Sequence, residues 1–120
     1  MRPNRGRWSN VGPVLRANKQ VAKRERIRST TLVVGVDVGN AFNAVGFMNK
    51  QGKVLGSYAK LYNNREGFEQ FVTMAEGLKR KYRLKDVLIG MEPTGHYWRK
   101  LAYFARERGY DVPVYTDYSA

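Results

Sequence analysis

The sequence contains no cysteine and only one histidine, His96. Without thiolates neither a disulfide nor a cysteine-ligated metal site can form, and a single imidazole cannot build a histidine metal cluster. No apolar run approaches the roughly 18 residues that a membrane-spanning helix needs, and the amino terminus lacks the apolar core of a signal peptide. We therefore expect a cytoplasmic protein with no membrane partner.

Acidic residues are also scarce, with 10 Asp and Glu against 22 Lys and Arg, which gives a net charge of +12. Residues 1–30 contain nine of the basic residues and one acid, Glu25. Such a segment predicts an arm that is disordered in isolation and contacts a phosphate backbone. The alternatives are a solvated tail or a contact with ribosomal RNA. The arm residues predicted to bind nucleic acid are Arg5, Arg7, Arg16, Lys19, Lys23, Arg24, Arg26 and Arg28.

Residues 31–120 have the patterning of a folded α/β domain. Apolar, β-branched runs predict strands at 32–38, 41–48, 53–61, 86–91 and 112–115. Helical spacing predicts one helix over 65–82, capped by Asn63 or Asn64, and a second that is capped by Thr94 and ends before Gly109. The order βββαβαβ favours a mixed, three-layer α/β fold with strand order 3-2-1-4-5.

Two acids stand where a core-building sequence would avoid them. Asp37 interrupts the first apolar strand, Glu92 ends the fourth, and each follows a glycine by two residues. If these strands are parallel neighbours, both carboxylates emerge where open α/β sheets place ligands. A carboxylate pair suits Mg²⁺, and paired metals support in-line attack at a phosphodiester. The alternative is that both acids cap loops or pair with arginines.

Three segments resemble the insertion-sequence-one-ten transposases, which are recombinases of the DEDD type. They are VGVDV at 34–38, NNREGF at 63–68 and, most specifically, GMEPTGHYW at 90–98. The resemblance spans about residues 32–116.

This resemblance implies a ribonuclease-H-like (RuvC-like) domain whose four acids, Asp-Glu-Asp-Asp, bind Mg²⁺, with Mn²⁺ as a substitute. Asp37 and Glu92 match the first two acids and are the implied catalytic and metal-binding residues. Family members recombine the DNA of prokaryotic mobile elements, act with a structured guide RNA, and use a nucleophilic serine in a separate carboxyl-terminal domain. The implied partners are DNA, guide RNA, and a carboxyl-terminal transposase half or a second copy, in a nucleoid-associated setting.

The sequence departs from the family pattern at its carboxyl end. The last two acids normally stand in a Thr-Asp-x-x-Asp-Ala string, whereas residues 116–120 (TDYSA) lack the second acid. We therefore expect Asp117 not to be a ligand. The serine domain has no counterpart in these residues. The expectation is the amino-terminal part of a transposase catalytic domain, inactive alone.

The residues after Glu92 have simpler interpretations. His96 could touch a phosphate at the predicted helix start, although packing or capping is the alternative. Tyr97 and Trp98 fall at helical spacing and are expected in the core, with stacking on bases as the alternative. Pro93 and Gly95 are expected to shape the turn that aims Glu92.

Two other function classes stay open at this point. An actin-like or sugar-kinase-like ATPase also places Asp-x-Gly on a first hairpin, but it expects Ser or Thr where Asn40 stands, and it leaves the Glu92 motif unexplained. A non-catalytic nucleic-acid-binding module would need only the basic arm.

Overall fold

The computed structural model describes residues 27–92 and 95–113. The strands are β1 (Thr31–Val38), β2 (Phe42–Met48), β3 (Ala59–Tyr62) and β4 (Asp86–Met91), and the helices are α1 (Arg65–Tyr82) and α2 (Trp98–Glu107). Residues 1–26, which include most of the predicted arm, lie outside the described residues, as do residues 93, 94 and 114–120.

The four strands form one mixed sheet in the order β3-β2-β1-β4. β1 pairs antiparallel with β2 and parallel with β4, and β2 pairs antiparallel with β3. The α/β class and the first four positions of the predicted strand order are confirmed. β1 lies between β2 and β4, and its apolar residues are buried on both faces of the sheet, as expected of a central strand.

The main core lies on one face of this sheet. Leu32, Val34 and Val36 of β1 pack there with buried residues of both helices. The helical contributions are Phe68, Phe71 and Ala75 from α1, and Leu101, Ala102 and Ala105 from α2. Because both helices share one face, the described part of the chain forms two layers and not the predicted three.

The first helix has the predicted bounds, with Asn64 as its N-cap. The Asn64 side chain accepts a hydrogen bond from the Gly67 amide at 2.9 Å, which satisfies one of the free donors of the first turn. A Cβ at Gly67 would lie 1.8 Å from the Tyr62 carbonyl oxygen. Glycine at this position therefore lets the helix start directly against the end of β3.

Two elements are shorter than the pattern predicted. β3 spans four residues. Before it, Gly56 interrupts the predicted strand with a positive φ of 66°, and Val54 forms only an isolated bridge to Met48 of β2. The second helix begins at Trp98 after Tyr97 as N-cap, so the predicted cap at Thr94 is wrong. Gly95, with φ 67°, is incompatible with a helix that starts there.

A parallel bridge at Asp111 marks the outer edge of β4. The Ile89 amide donates to the Asp111 carbonyl at 2.8 Å, and the Asp111 amide donates to the Val87 carbonyl at 3.0 Å. This is the side on which the fifth strand was predicted, but 112 and 113 are not in a strand. The strand at 112–115 therefore stays a prediction.

Neither described helix has both the length and the apolar character that are required to cross a bilayer.

Candidate metal and nucleic-acid site

The face of the sheet opposite both helices changes character along its length. At one end Val33 pairs with Met48 and Leu88, and these side chains form a small apolar cluster with Ile27. In the middle, register places Gly46, Gly35 and Gly90 side by side across three strands. No side chain rises from the sheet along that row.

The candidate acids lie at the other end of this face. Register pairs Val36 of β1 with Met91, the last residue of β4, so Asp37 is the next residue of β1 and Glu92 immediately follows β4. Alternation places Asp37 on the face of Gly35, and Glu92 on the face of Gly90. Both acids are exposed, and neither side chain forms a hydrogen bond or ion pair with another described residue.

These carboxylates are the type of ligand that Mg²⁺ prefers, and Mg²⁺ usually takes one or two of them together with water and phosphate oxygens. Residues 27–92 and 95–113 contain no group of three or more His, Cys, Asp or Glu side chains placed to hold a metal. Two carboxylates could hold a divalent cation only together with water or phosphate oxygens, so they do not form an all-protein cage.

A cavity of about 500 Å³ lies beside Asp37. Asp37 pairs with Ala44 on β2, and Ala44 pairs with Lys60 on β3, so these three residues form one row on this face. The small Ala44 side chain leaves open space between the carboxylate and the ammonium group. The rings of Phe42 and Tyr58 also line the cavity. The cavity therefore combines a carboxylate on β1 with a cation on β3 and two aromatic rings.

Asn63 connects the two loops that follow the acidic strand ends. Its side-chain amide donates to the Gly39 carbonyl at 2.8 Å and to the Tyr97 carbonyl at 3.2 Å. Its carbonyl oxygen accepts from the buried Asn43 amide at 3.2 Å, and Asn43 accepts in turn from the Gly39 amide at 3.3 Å. Gly39 follows Asp37 and Tyr97 follows Glu92, so this network fixes the two loops relative to each other.

The loop after Glu92 differs from its prediction. His96 is exposed and its ring lies 4.4 Å from that of Tyr97, ahead of the helix and not within it. Tyr97 is exposed, so its predicted place in the core is wrong, because the later helix start moves it off the buried stripe. Trp98 is half-buried and packs against the main core as expected. A phosphate contact by His96 stays a prediction.

Among the residues predicted to bind nucleic acid, only Arg28 and His96 are described. Arg28 Nη2 lies 3.1 Å from Asp86 Oδ2, and the adjacent Ile27 is buried in the small apolar cluster. Arg5, Arg7, Arg16, Lys19, Lys23, Arg24 and Arg26 lie outside the described residues.

Sequence reasoning missed Lys60 and the Asn43–Asn63 network. The signal for Asn63 was available, because it stands in the segment at 63–68 that resembles the transposase family. Lys60 carried no such signal, since its proximity to Asp37 arises only from the pairing of three strands.

Comparison with known families bears on the open function classes. A family model for DEDD transposases of the IS110 type, described as a transposase, matches residues 34–120. The match covers more than half of the chain. The chain belongs to this transposase family. Comparison with curated proteins gave no match.

Membership supports a role in transposition, which is a reaction on DNA. It also disfavours the actin-like or sugar-kinase-like interpretation, which shares only the motif around Asp37. The matched residues include both candidate acids, the cavity beside Asp37 and the Asn63 network.

Proposed function

We propose that the chain supplies the first two carboxylates of the divalent-metal site of an insertion-sequence transposase. The observation that carries this proposal is the parallel register of β1 and β4. It makes Asp37 and Glu92 neighbours on one face of the sheet, without hydrogen bonds or ion pairs to other described residues. Carboxyl ends of adjacent parallel strands are a common place for ligands in open α/β sheets.

Asp37 and Glu92 would hold Mg²⁺, or Mn²⁺ in its place, through carboxylate oxygens. When bound, such a cation neutralises charge on a phosphodiester and orients the attacking and leaving oxygens. The protein residues position this chemistry. The Asn63 network holds the two strand-end loops in a fixed relation, and Lys60 faces Asp37 across the cavity, where a phosphate would gain a cationic contact.

We further propose that DNA is the bound nucleic acid and that a structured guide RNA is a second partner. The net charge of +12 and the concentration of cations in residues 1–30 support this, because phosphate neutralisation supplies most sequence-independent affinity. The interpretation places the protein with prokaryotic DNA in the cytoplasm.

Two acids do not make a complete four-acid site. We propose that these residues alone neither cut nor join DNA, and that the other two acids and the serine come from a carboxyl-terminal transposase half, with a second copy of the chain as a further partner. Residues that act as a unit in catalysis are strongly non-additive, so half of a site does not retain half of the activity.

The test compares Mn²⁺ binding by the wild-type chain, Asp37→Asn and Glu92→Gln, measured by electron paramagnetic resonance. Glu107→Gln is the control, because Glu107 is an exposed acid on α2. We expect weak binding by the wild type and the control, and a loss of about tenfold or more in each site variant. Equal affinity in all four proteins would contradict the proposed metal site.

The same proteins, incubated with supercoiled plasmid, Mn²⁺ and candidate element RNA, test the proposed inactivity. We expect no cleavage by any of them. Cleavage by the wild type that disappears in Asp37→Asn would show that the site is complete without further acids.

A further inference from the structure

We propose that Phe42, Tyr62 and Lys60 form a platform on which an unpaired nucleobase stacks beside the phosphodiester at Asp37. We call these three residues the stacking platform. The inference rests on the proposed function, since it assigns a position to the nucleic acid strand that the metal site would act on.

The two aromatic side chains of the platform are exposed and lie outside the buried core. Phe42 is 37% exposed and Tyr62 is 55% exposed, and neither belongs to a buried core cluster. They are direct partners across β2 and β3, with ring centroids 4.7 Å apart and an angle of 31° between the rings. Paired aromatic rings at the surface present a continuous apolar area of a kind that bases stack on.

Lys60 adds the charge that a nucleic acid strand requires. Its Nζ lies 4.8 Å from the centroid of the Phe42 ring, and it forms no ion pair with a carboxylate in the part of the chain that the structure describes. The ammonium group is therefore available to a phosphate. Aromatic rings alternating with cations are the usual composition of surfaces that bind single strands.

The position of the platform connects it with the candidate metal site. Phe42 and Lys60 line the same cavity of about 500 Å³ as Asp37, which falls within the range of roughly 300–1,000 Å³ for small-ligand sites. Lys60 stands in the row of Asp37, and the Phe42–Tyr62 pair lies next along β2 and β3 on the same face. A base on the rings would thus place its own or the next phosphate towards the carboxylates.

The base must be unpaired and unstacked to be bound in this way. In a duplex both faces of each base are covered by its neighbours, so a stacking surface selects single strands or locally opened positions. The platform therefore predicts a preference for single-stranded over duplex DNA in the binding contributed by this face.

A second aromatic and basic groove, between α1 and α2, is the main competitor for this role. It has a volume of about 570 Å³ and contains the exposed Tyr103. Two of its cations, Arg108 at 3.2 Å and Arg65 at 3.6 Å, already share the carboxylate of Glu69. It also lies on the helix layer, on the other side of the sheet from Asp37 and Glu92.

The experiment uses the full chain with a short single-stranded oligonucleotide that carries 2-aminopurine, and a duplex of the same sequence, both in EDTA. Phe42→Ala and Tyr62→Ala remove the rings, Tyr62→Phe keeps the ring, and Tyr103→Ala is the matched control for an exposed tyrosine. Wild type, Tyr62→Phe and Tyr103→Ala are expected to quench 2-aminopurine on binding. The two platform variants should lose that quenching and bind the single strand roughly tenfold more weakly, with duplex affinity unchanged.

Several outcomes would overturn the platform. They are wild-type quenching in both alanine variants, a loss that is confined to Tyr103→Ala, or no single-strand binding by the wild type. If Phe42→Ala fails to fold, the more exposed Tyr62→Ala decides alone. Mn²⁺ affinity, measured in parallel, separates the two proposals. Normal quenching without Mn²⁺ binding at Asp37 and Glu92 would contradict the metal site only, and the converse would contradict the platform only.

Discussion

The two faces of the central strand serve different purposes. On one face of β1, Leu32, Val34 and Val36 are fully buried beneath both helices. On the other face, the sequence passes from buried Val33 through Gly35 to exposed Asp37. Because side chains alternate along a strand, one eight-residue segment contributes to the hydrophobic core and to the candidate site at once.

Polar groups on the two faces also differ. On the helix side, the Tyr110 hydroxyl donates to Glu76 at 2.6 Å, and this hydrogen bond lowers the pKa of Glu76 below its usual value. On the site side, the carboxylates of Asp37 and Glu92 have no such partner among the described residues. Paired polar groups are typical of packing, whereas exposed, unpaired carboxylates on adjacent strands are available to a ligand. The main core therefore lies on the helix face, and the proposed binding site lies at one end of the other face.

The largest expected effect is on the helix face. Phe71 is 2% exposed and packs against Phe47 and Tyr110, with ring centroids 6.2 Å away in each case. Phe71→Ala should lower the free energy of unfolding by about 3–5 kcal/mol, through lost burial and the cavity left behind. The Tyr103 side chain is 69% exposed, so Tyr103→Ala should change the free energy of unfolding by less than about 1 kcal/mol. Urea denaturation measures both, and equal losses would contradict the comparison.

The next largest expected effect is on stability, and it distinguishes two glycines of α1. A Cβ at Gly67 would meet the Tyr62 carbonyl oxygen at 1.8 Å, whereas at Gly77 it would meet nothing within 4 Å. Gly67→Ala should destabilise the fold by about 1–3 kcal/mol, because the helix start must move away from β3. Gly77→Ala should stabilise it by about 0.5–1 kcal/mol through helix propensity. Thermal unfolding distinguishes them, and a shift in the same direction for both would refute the close approach at Gly67.

The smallest effect concerns the link between the two loops. Asn63→Ala removes the hydrogen bonds to the Gly39 and Tyr97 carbonyls. We expect a few-fold loss of Mn²⁺ affinity. Removing a residue that hydrogen-bonds to a metal ligand typically costs roughly 10- to 100-fold, but Asn63 hydrogen-bonds to the loops after the acids and not to the acids themselves.

Asn64→Ala is the control for this variant. It removes the N-cap of α1 and should cost about 1 kcal/mol of stability without touching either loop. If Asn63→Ala and Asn64→Ala have the same Mn²⁺ affinity at equal stability, Asn63 stabilises the fold but does not position the site.

Local pattern predicted the elements where local chemistry decides them. The bounds of α1 follow from its helical spacing and from Asn64, and β1 and β4 follow from short runs of apolar residues. Prediction failed where a glycine interrupted an otherwise suitable pattern. Gly56 shortened β3 and Gly95 delayed α2, since a positive φ is a backbone property that hydrophobic periodicity does not register.

The sequence by itself determined which residues face the same way along each strand, and so placed Asp37 and Glu92 on the faces of Gly35 and Gly90. It also carried the motif by which the family is matched. Only the tertiary structure decided that Lys60 stands across a cavity from Asp37, and that Asn63 joins the loops after both acids. These neighbours come from segments that are separated along the chain, and they meet only when the strands pair and the helices pack on the shared core.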